Sequence, residues 1–311
     1  MSGFAAFGEP GVTGGVPGPV SLPGRSTRRV LTDVLCRALM WLAFLIAVLP
    51  LVWILWVVLT QGLGLVLRPS WWTQDGAAGG AGDTEVGAAH AILGTVQMAI
   101  ATSVIAVPIA LLTAIYLNDY GRGRFAAVVR FMVDILSGVP AIVAGLFVYA
   151  FWVTTLGALR VPFSATLALV LLMIPAVVHS TEAALRGVPG SLREAAYALG
   201  VPTWKTLAVI VVPAALPGIV SGALFAAARV MGETAPLIIL APYTPYLQAG
   251  LFDPVMASLP TMINDSRSDV TPAGLERAWA ASLTLILIIL GCILLGRLVA
   301  RSSLRRRAER T

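Results

Sequence analysis

The chain has 311 residues, of which 58% are hydrophobic and 12% are charged, and its mean hydropathy is +0.89. A soluble core could not bury so much apolar surface, so the composition predicts an integral membrane protein and excludes a soluble globular one. The net charge of +6 could suggest a nucleic-acid partner. However, the basic residues cluster at the ends of apolar runs instead of alternating with aromatic residues on one polar face, which argues against nucleic-acid binding.

The two ends of the chain differ in composition from the apolar part between them. Residues 1–30 are rich in glycine, proline and serine and have no hydrophobic period, which predicts a disordered leader. Residues 31–300 contain the long apolar runs and are expected to form a membrane domain. Residues 301–311 are rich in arginine and are expected to form a basic tail that contacts anionic lipid.

Six apolar stretches are long enough to cross a membrane, which takes about 20 helical residues because the hydrocarbon layer is about 30 Å thick. Their approximate bounds are 38–59, 88–117, 135–159, 161–178, 207–228 and 278–296. The chain is therefore predicted to be an all-α, polytopic membrane protein with six transmembrane helices.

The positions of lysine and arginine predict the orientation, because these residues stay on the cytoplasmic side when they lie close to a span. Six spans and a cytoplasmic start place sixteen basic residues on the cytoplasmic face and four on the outer face, with Arg229 unassigned. The sixteen are Arg25, Arg28, Arg29, Arg37, Arg122, Arg124, Arg130, Arg186, Arg193, Lys205, Arg297, Arg301, Arg305, Arg306, Arg307 and Arg310. The four are Arg68, Arg160, Arg267 and Arg277. Both termini are therefore predicted to be cytoplasmic.

The uncharged part of the chain at 234–252 is also long enough to span the membrane. It contains three prolines and a glycine, which interrupt backbone hydrogen bonding that lipid cannot replace. A seventh span would also place the arginine-rich tail outside. We therefore expect 234–252 on the outer side, partly re-entrant or packed on the protein, and we expect the glycine-rich residues 76–82 to form a flexible outer loop.

The polar loop between the fourth and fifth spans predicts a short cytoplasmic helix at about residues 192–199. Ser191 can cap its N-terminus, and Glu194, three residues later, can complete a capping box. Gly200 can end the helix in a left-handed turn, and Pro202 prevents its continuation. On this interpretation Glu194 is only the reciprocal cap of a surface helix.

The same helix also presents a small apolar face, which favours a second interpretation. Exposed apolar surface at helical spacing is typical of a site that binds a partner. The residues at that spacing are Leu192, Ala195, Ala196 and Leu199. Capping and partner binding are compatible, because a firmly capped helix transmits force better.

The spacing in this loop resembles the EAA loop of permease subunits in binding-protein-dependent ABC importers. The pattern is Glu194-Ala195-Ala196, three residues, Gly200, nine residues, Ile210, one residue, Val212 and Pro213, with valine where leucine is usual. The resemblance covers about residues 85–300 in layout and implies the MetI-like permease fold, with a core at about 88–300. It also implies that the short helix fits a groove on a separate ATPase subunit and couples its closure to movement of the spans. The ATPase-coupling residues would then be Glu194, Ala195, Ala196, Leu199 and Gly200.

Two further segments resemble the phosphate-importer permeases of the PstA type. They are residues 137–147 in the third span and residues 229–236 after the fifth. Gly-Glu-Thr-Ala-Pro at 232–236 is the more diagnostic, because PstC-type permeases share only Gly-Glu-Thr. The resemblance implies a subunit of the bacterial plasma membrane that translocates inorganic phosphate. Its partners would be a PstC-type second permease, a dimer of PstB-type ATP-binding subunits and an extracytoplasmic PstS-type phosphate-binding protein.

Arg229, Glu233 and Thr234 are the candidates for the translocation path. Arg229 and Glu233 are four residues apart, so they share a helix face near the outer end of the fifth span, where a charge is costly unless paired or hydrated. One interpretation is an ion pair that neutralises itself. The other is that Arg229 attracts phosphate while Glu233 holds the arginine and prevents permanent capture. Thr234 could add a hydroxyl donor.

Other polar and helix-breaking residues have structural interpretations. Asp134 is expected to pair with Arg130 at a cytoplasmic helix end. Pro140, with Gly138 and Gly145, is expected to permit a kink and close helix packing. The two histidines have no second ligand at metal spacing, so no metal site is predicted.

The chain is not expected to be an enzyme. An ATPase needs Gly-x-x-x-x-Gly-Lys-Ser/Thr, and the nearest candidate, Lys205-Thr206, has Trp204 where the second glycine must be. This chain is therefore expected to bind no cofactor, with ATP and magnesium used by the ATPase partner.

Three alternatives stay open at this level. The first is a permease for another oxyanion, such as molybdate or sulfate. The second is a self-powered secondary carrier, which is disfavoured because no inverted repeat is visible and acidic residues near the midplane are scarce. The third is a membrane scaffold that reports phosphate supply to a sensor kinase, a role that could coexist with transport.

Overall fold

The apolar runs of the sequence fold into helices, which confirms the all-α prediction. The computed structural model describes residues 27–77, 86–269 and 271–308, and these contain twelve α-helices and no β-strand. The helices are α1 (Thr27–Val66), α2 (Pro69–Thr73), α3 (Ala89–Ile115), α4 (Gly123–Gly138), α5 (Ala141–Val148), α6 (Pro162–Arg186), α7 (Gly190–Ala198), α8 (Thr203–Thr206), α9 (Val212–Met231), α10 (Ala235–Leu240), α11 (Leu259–Ser268) and α12 (Pro272–Ala308). Three π-helical segments continue α3, α5 and α8, and these are Tyr116–Tyr120, Tyr149–Thr155 and Leu207–Val211.

The chain divides into two units, Met1–Ile54 and Leu55–Thr311. The part of α1 that belongs to the first unit presents almost entirely exposed side chains, including Trp41 and Phe44, whose rings meet edge to face with centroids 5.8 Å apart. A helix that is apolar all round and exposed in the isolated chain is typical of a segment surrounded by lipid. Most of the predicted leader, residues 1–26, lies outside the described residues.

Five helices are long and apolar enough to cross a membrane. They are Leu31–Val66, Ala89–Tyr120, Pro162–Arg186, Thr203–Met231 and Pro272–Ala300, and they contain the predicted first, fifth and sixth spans and nearly all of the second and fourth. The sixth candidate is a pair of helices, α4 and the segment Ala141–Thr155, bent by 108° at a short break. The chain is therefore a multi-pass membrane protein with five crossings, or six if the bent pair forms one.

The predicted third span, 135–159, is wrong as a single helix, although the predicted kink is confirmed. Val139 has φ −69° and ψ 125°, an extended conformation, because the ring of Pro140 disfavours the helical region for the residue before it. Gly145 packs closely, as predicted: a Cβ there would lie 3.0 Å from the Cα of Pro236. A Cβ at Gly138, in contrast, would have no described neighbour within 4 Å.

Small residues allow α3, α6 and α9 to pack closely around the main core. Ala106, Ala110 and Ala114 recur every four residues on one face of α3 and are fully buried. On α9, a Cβ at Gly222 would lie 2.5 Å from the Cβ of Ser180 of α6. Membrane helices associate largely through such van der Waals packing, because lipid tails are as apolar as the side chains. The three helices thus form the frame that carries the loops described below.

The stretch 234–252 is not a spanning helix and packs on the protein, as predicted. Its helix α10 has six residues, and the chain beyond it is irregular up to Ser258. Leu240 is fully buried, and the Met256 N–H donates to the Pro242 carbonyl at 3.2 Å, which closes the loop. The Gly76 N–H donates to the Pro245 carbonyl at 2.8 Å, and residues 78–82 of the predicted flexible loop lie outside the described residues.

Candidate functional site

The short helix predicted at 192–199 is α7, but its N-terminus differs from the prediction. α7 begins at Gly190 with Pro189 at the N-cap, and no side chain of the described residues caps it. The Leu192 N–H donates to the Pro189 carbonyl at 3.2 Å. The predicted Ser191 cap and Glu194 capping box are wrong, because Ser191 already lies in the first turn, beyond the position from which a side chain can cap.

Helix α7 is terminated by Gly200, as predicted. Gly200 has φ +73°, the left-handed conformation that glycine adopts without steric cost. The Val201 N–H donates to the Ala196 carbonyl at 3.0 Å, and the Gly200 N–H donates to the Tyr197 carbonyl at 2.9 Å. These two bonds form a Schellman motif, which satisfies carbonyls at the helix end. Pro202 then begins α8 as its N-cap.

The predicted apolar face of α7 is divided between two directions. Leu192 and Ala195 are exposed, and Leu199 is 84% exposed. Ala196 is buried against the chain's own helices. Three of the four predicted residues are therefore available to a partner, whereas Ala196 attaches α7 to its own subunit.

Glu194 is exposed and forms no ion pair with any described residue. Since it is not a cap either, the structural interpretation of this carboxylate has no support in the helix geometry. Tyr197 and Trp204 are also exposed on this part of the chain. The outer surface of α7 and α8 thus combines a carboxylate with exposed apolar and aromatic side chains, a mixture suited to protein contact.

Arg193 ties α7 to two other helices. Its guanidinium forms an ion pair with Asp119, in the π-helical segment that continues α3, and the side chain of Asp119 is only 5% exposed. A second guanidinium nitrogen of Arg193 donates to the Leu185 carbonyl of α6 at 3.4 Å. The planar guanidinium carries donors in several directions, so one side chain can reach both acceptors.

A second set of ion pairs lies around a buried carboxylate on α6. Glu182 lies 3.2 Å from a guanidinium nitrogen of Arg130 on α4 and 3.6 Å from one of Arg186. Asp134 instead lies 3.8 Å from the Nε2 of His179. The predicted Arg130–Asp134 pair is therefore wrong, because the buried Glu182 needs a cation more than the exposed Asp134 does.

The three candidates for the translocation path lie at the end of α9. Arg229 is exposed in the last turn, Glu233 and Thr234 are half-buried, and among the described residues no ion pair joins Arg229 to Glu233. α9 ends at Met231, and the Glu233 N–H donates to Val230 at 3.1 Å, three residues back. The predicted pairing is wrong because this tighter turn takes Glu233 off the helix face of Arg229.

Sequence reasoning missed Asp119 and the structural use of Arg193. Arg193 counted only toward orientation, and no spacing rule connects residues 74 positions apart. The available signal was a carboxylate at the end of an apolar run, which is costly to bury without a partner. In the described part of the chain, no group of three or more His, Cys, Asp or Glu side chains is placed to hold a metal ion.

The sequence matches a family model and several curated relatives. Residues 106–308 match the model described as "Binding-protein-dependent transport system inner membrane component". The chain is 46% identical to the phosphate transport system permease protein PstA of Mycobacterium leprae, over 87% of this chain and 89% of that protein. It is 44% identical to PstA 1 of Mycobacterium tuberculosis strain H37Rv, over 93% of this chain and 94% of that protein.

Solved structures share the fold at low sequence identity. An inward-facing structure of the MetNI methionine ABC transporter has a TM-score of 0.56 at 19% identity, covering 68% of this chain and 94% of that chain. A bacterial ABC transporter that imports the acidic polysaccharide alginate has a TM-score of 0.58 at 16% identity, covering 88% and 99%. The helical fold, the loop that carries α7 and these matches agree, and the chain belongs to the family of binding-protein-dependent transport system inner membrane components, the permeases of ABC importers.

Proposed function

We propose that this chain is a permease subunit of an ATP-driven ABC importer that carries inorganic phosphate into the cell. The observation that carries this proposal is the likeness to proteins named phosphate transport system permeases, at 44–46% identity over 87–93% of the chain. Likeness over nearly the whole chain includes the helices that would line a path as well as the loop that would meet an ATPase.

The proposed partners follow from the family and from the surface of α7. A second permease of the PstC type would complete the path, and an extracytoplasmic PstS-type protein would deliver phosphate. A dimer of PstB-type subunits would bind ATP and magnesium and press on the α7 helices, while this chain binds no cofactor. Glu194, Ala195 and Leu199 would meet the ATPase, since all three are exposed. Ala196 and Gly200 would support α7, one by packing and the other by ending it.

The proposed anion path uses the end of α9. Arg229 is exposed and has no ion-pair partner among the described residues, so its charge is available to an anion. The Thr234 hydroxyl donates only a long bond of 3.5 Å to the Gly232 carbonyl, which an anion could replace. Glu233, beside them, would limit how tightly phosphate is held by adding a negative charge to the path.

The orientation proposed for the complex is a multi-pass arrangement in the bacterial plasma membrane, with both termini cytoplasmic. With six crossings the two termini lie on the same side, which requires the bent pair of α4 and α5 to count as one crossing. The charge distribution of the sequence supports this count, because it places sixteen basic residues on one face.

The test is uptake by the reconstituted complex. This chain would be purified with its co-eluting permease and ATPase, placed in proteoliposomes and supplied with the external binding protein and labelled phosphate. ATP-dependent uptake that unlabelled phosphate blocks, and that sulfate and molybdate do not, is the expected result. Stronger competition by another oxyanion would reassign the substrate, and uptake by this chain alone under a proton gradient would replace the ABC mechanism with a secondary carrier.

A further inference from the structure

We infer that Arg193 is a positioning residue that joins α7 to α3, so that a movement of α7 reaches α3 through the Arg193–Asp119 ion pair. This inference rests on the proposed function, in which an ATPase acts on α7. It assigns the transmission of that movement to one side-chain contact outside the EAA pattern.

The packing of α7 gives it little other attachment to its own subunit. Of its nine residues, only Ala196 is buried, and that side chain is a single methyl group. The helical segments against which α7 packs most are α8 and the π-helical segment Leu207–Val211, which follow it in the chain. A short helix in proteins is normally held by packing of an apolar face, and α7 turns most of that face outward.

Burial and two additional hydrogen bonds hold the Arg193–Asp119 ion pair in place. The side chain of Asp119 is nearly fully buried, and a buried carboxylate without a cation is strongly unfavourable. The amide nitrogen of Asn118 donates to the second carboxylate oxygen at 3.0 Å, which fixes the acceptor. Arg193 also donates to the Leu185 carbonyl, so its guanidinium cannot leave Asp119 without losing a second partner.

The connection leads directly into the helical frame. The segment Tyr116–Tyr120 continues α3 without interruption, since Tyr116 keeps helical dihedral angles and its N–H donates to carbonyls of the last turn of α3. The alanine face of α3 is buried in the main core with residues of α6 and α9. A rigid helix with its face in the core moves as a unit, which makes it a suitable element to carry coupling.

The same π-helical segment is also connected to α4 and α6. The Leu117 carbonyl accepts from Arg130 at 3.5 Å, and Arg130 reaches Glu182 of α6 at 3.2 Å. A displacement of Arg193 would therefore be transmitted to the ends of α3, α4 and α6 through groups in direct contact. Helices α8 and α9, in contrast, follow α7 through the chain itself and need no side-chain connection.

The test compares Arg193→Gln with Arg124→Gln in the complete complex. Arg124 is an exposed arginine on α4 with no ion-pair partner among the described residues, so its replacement removes the same charge without breaking a connection. The complexes would be measured for ATPase binding, for ATP hydrolysis and for phosphate imported per ATP. Hydrogen exchange of residues 116–120 would be followed with and without a non-hydrolysable ATP analogue.

We expect the Arg193→Gln complex to bind the ATPase and hydrolyse ATP. The amount of phosphate imported per ATP should fall at least about fivefold, which is the size of a typical coupling effect. The ATP-analogue response of hydrogen exchange at 116–120 should disappear in this variant and persist in Arg124→Gln. Asp119→Asn should behave like Arg193→Gln. The exchange of the two charges, Arg193→Asp with Asp119→Arg, should restore part of both the import ratio and the exchange response.

The contrary result is equally definite. The inference is overturned if Arg193→Gln imports as much phosphate per ATP as the wild type and shows the wild-type hydrogen-exchange response. It is also overturned if Arg193→Gln loses ATPase binding in proportion to its loss of import, because Arg193 would then be a docking residue. If instead the wild-type complex fails to carry phosphate while its ATP-analogue response still depends on Arg193, the proposed substrate is wrong and the inference stands.

Discussion

Glu194 is the residue whose interpretation the structure changes most. The sequence offered two explanations for its carboxylate, a capping box and a partner contact, and the cap is not formed because α7 begins at Gly190. An exposed carboxylate that holds nothing in its own subunit is free to act on another one. Its neighbour Arg193 takes the structural role instead.

The substitution Glu194→Lys should abolish phosphate uptake while the protein still inserts in the membrane. Reversal of the charge on the exposed face of α7 would oppose a partner surface that complements a carboxylate, and like charges across an interface cost several kcal/mol. Uptake in cells and the amount of protein in the membrane fraction would be measured together. Ser191→Ala is the matched control and should be silent, because the Ser191 hydroxyl does not cap α7. Normal uptake by Glu194→Lys would remove its coupling role.

Arg229→Gln should reduce phosphate flux while the complex still assembles. The guanidinium is exposed at the end of α9 and pairs with no described carboxylate, so its loss affects anion attraction more than folding. The measurement is the initial rate of phosphate uptake against external phosphate, with the recovered complex as the control for assembly. An unchanged rate would leave Arg229 with a structural role only.

Asp269 should make the junction between α11 and α12 sensitive to acid. The Thr271 backbone N–H donates to its carboxylate at 3.0 Å, and with the Thr271 side chain and Arg277, 2.6 Å away, this lowers the pKa of Asp269 below its usual 3.8. A lowered pKa in the folded state adds stability that is complete above the ordinary pKa and is lost as the pH falls through the folded value.

Hydrogen exchange of residues 259–275, measured in steps from neutral pH downward, checks this expectation. Protection in the wild type should fall at acid pH, below the usual carboxyl range. In Asp269→Asn that acid-dependent loss should be absent, because the amide does not titrate. A fall of the same size in the variant would assign the pH dependence to another group.

At the scale of elements, local rules succeeded where one residue decides the backbone and failed where distant residues compete. Gly200 ends α7 as predicted because only its own φ matters. Pro140 was expected to produce a kink, but the sequence could not show that the kink reaches 108° and divides the third span. Arg130 was assigned to the nearest carboxylate in sequence, whereas tertiary packing brought it to Glu182, 52 residues away.

The crossing of α6 and α9 gives a prediction for helix packing. Gly222→Ala should destabilise the solubilised protein by about 1–3 kcal/mol, because the new methyl would overlap the Cβ of Ser180 and force the helices apart. Gly291→Ala is the matched control: a Cβ there has no described neighbour within 4 Å, so it should be neutral or slightly stabilising. Thermal unfolding in detergent would compare the two. Equal transition temperatures would show that α6 and α9 do not need their close approach.

At the scale of the whole molecule, the sequence located most crossings because about 20 apolar residues are needed whatever the tertiary packing. The path of the substrate through the protein could not be predicted from the sequence in the same way. The path depends on how helix ends such as that of α9 turn, and on the second permease that we propose to complete the enclosure. The role of the exposed surface of α7 could not be predicted for the same reason, since in the proposed complex that surface meets another protein.

The most direct measurement of the central claim is site-directed crosslinking from α7. Leu199→Cys, in a background in which the two native cysteines are replaced by serine, places a thiol at a proposed coupling position whose side chain is 84% exposed. The account predicts that this thiol crosslinks to the ATPase subunit and is reached by a membrane-impermeant reagent only from the cytoplasmic side. Labelling from the outer side, or a complex in which no ATPase crosslinks to position 199, would contradict it.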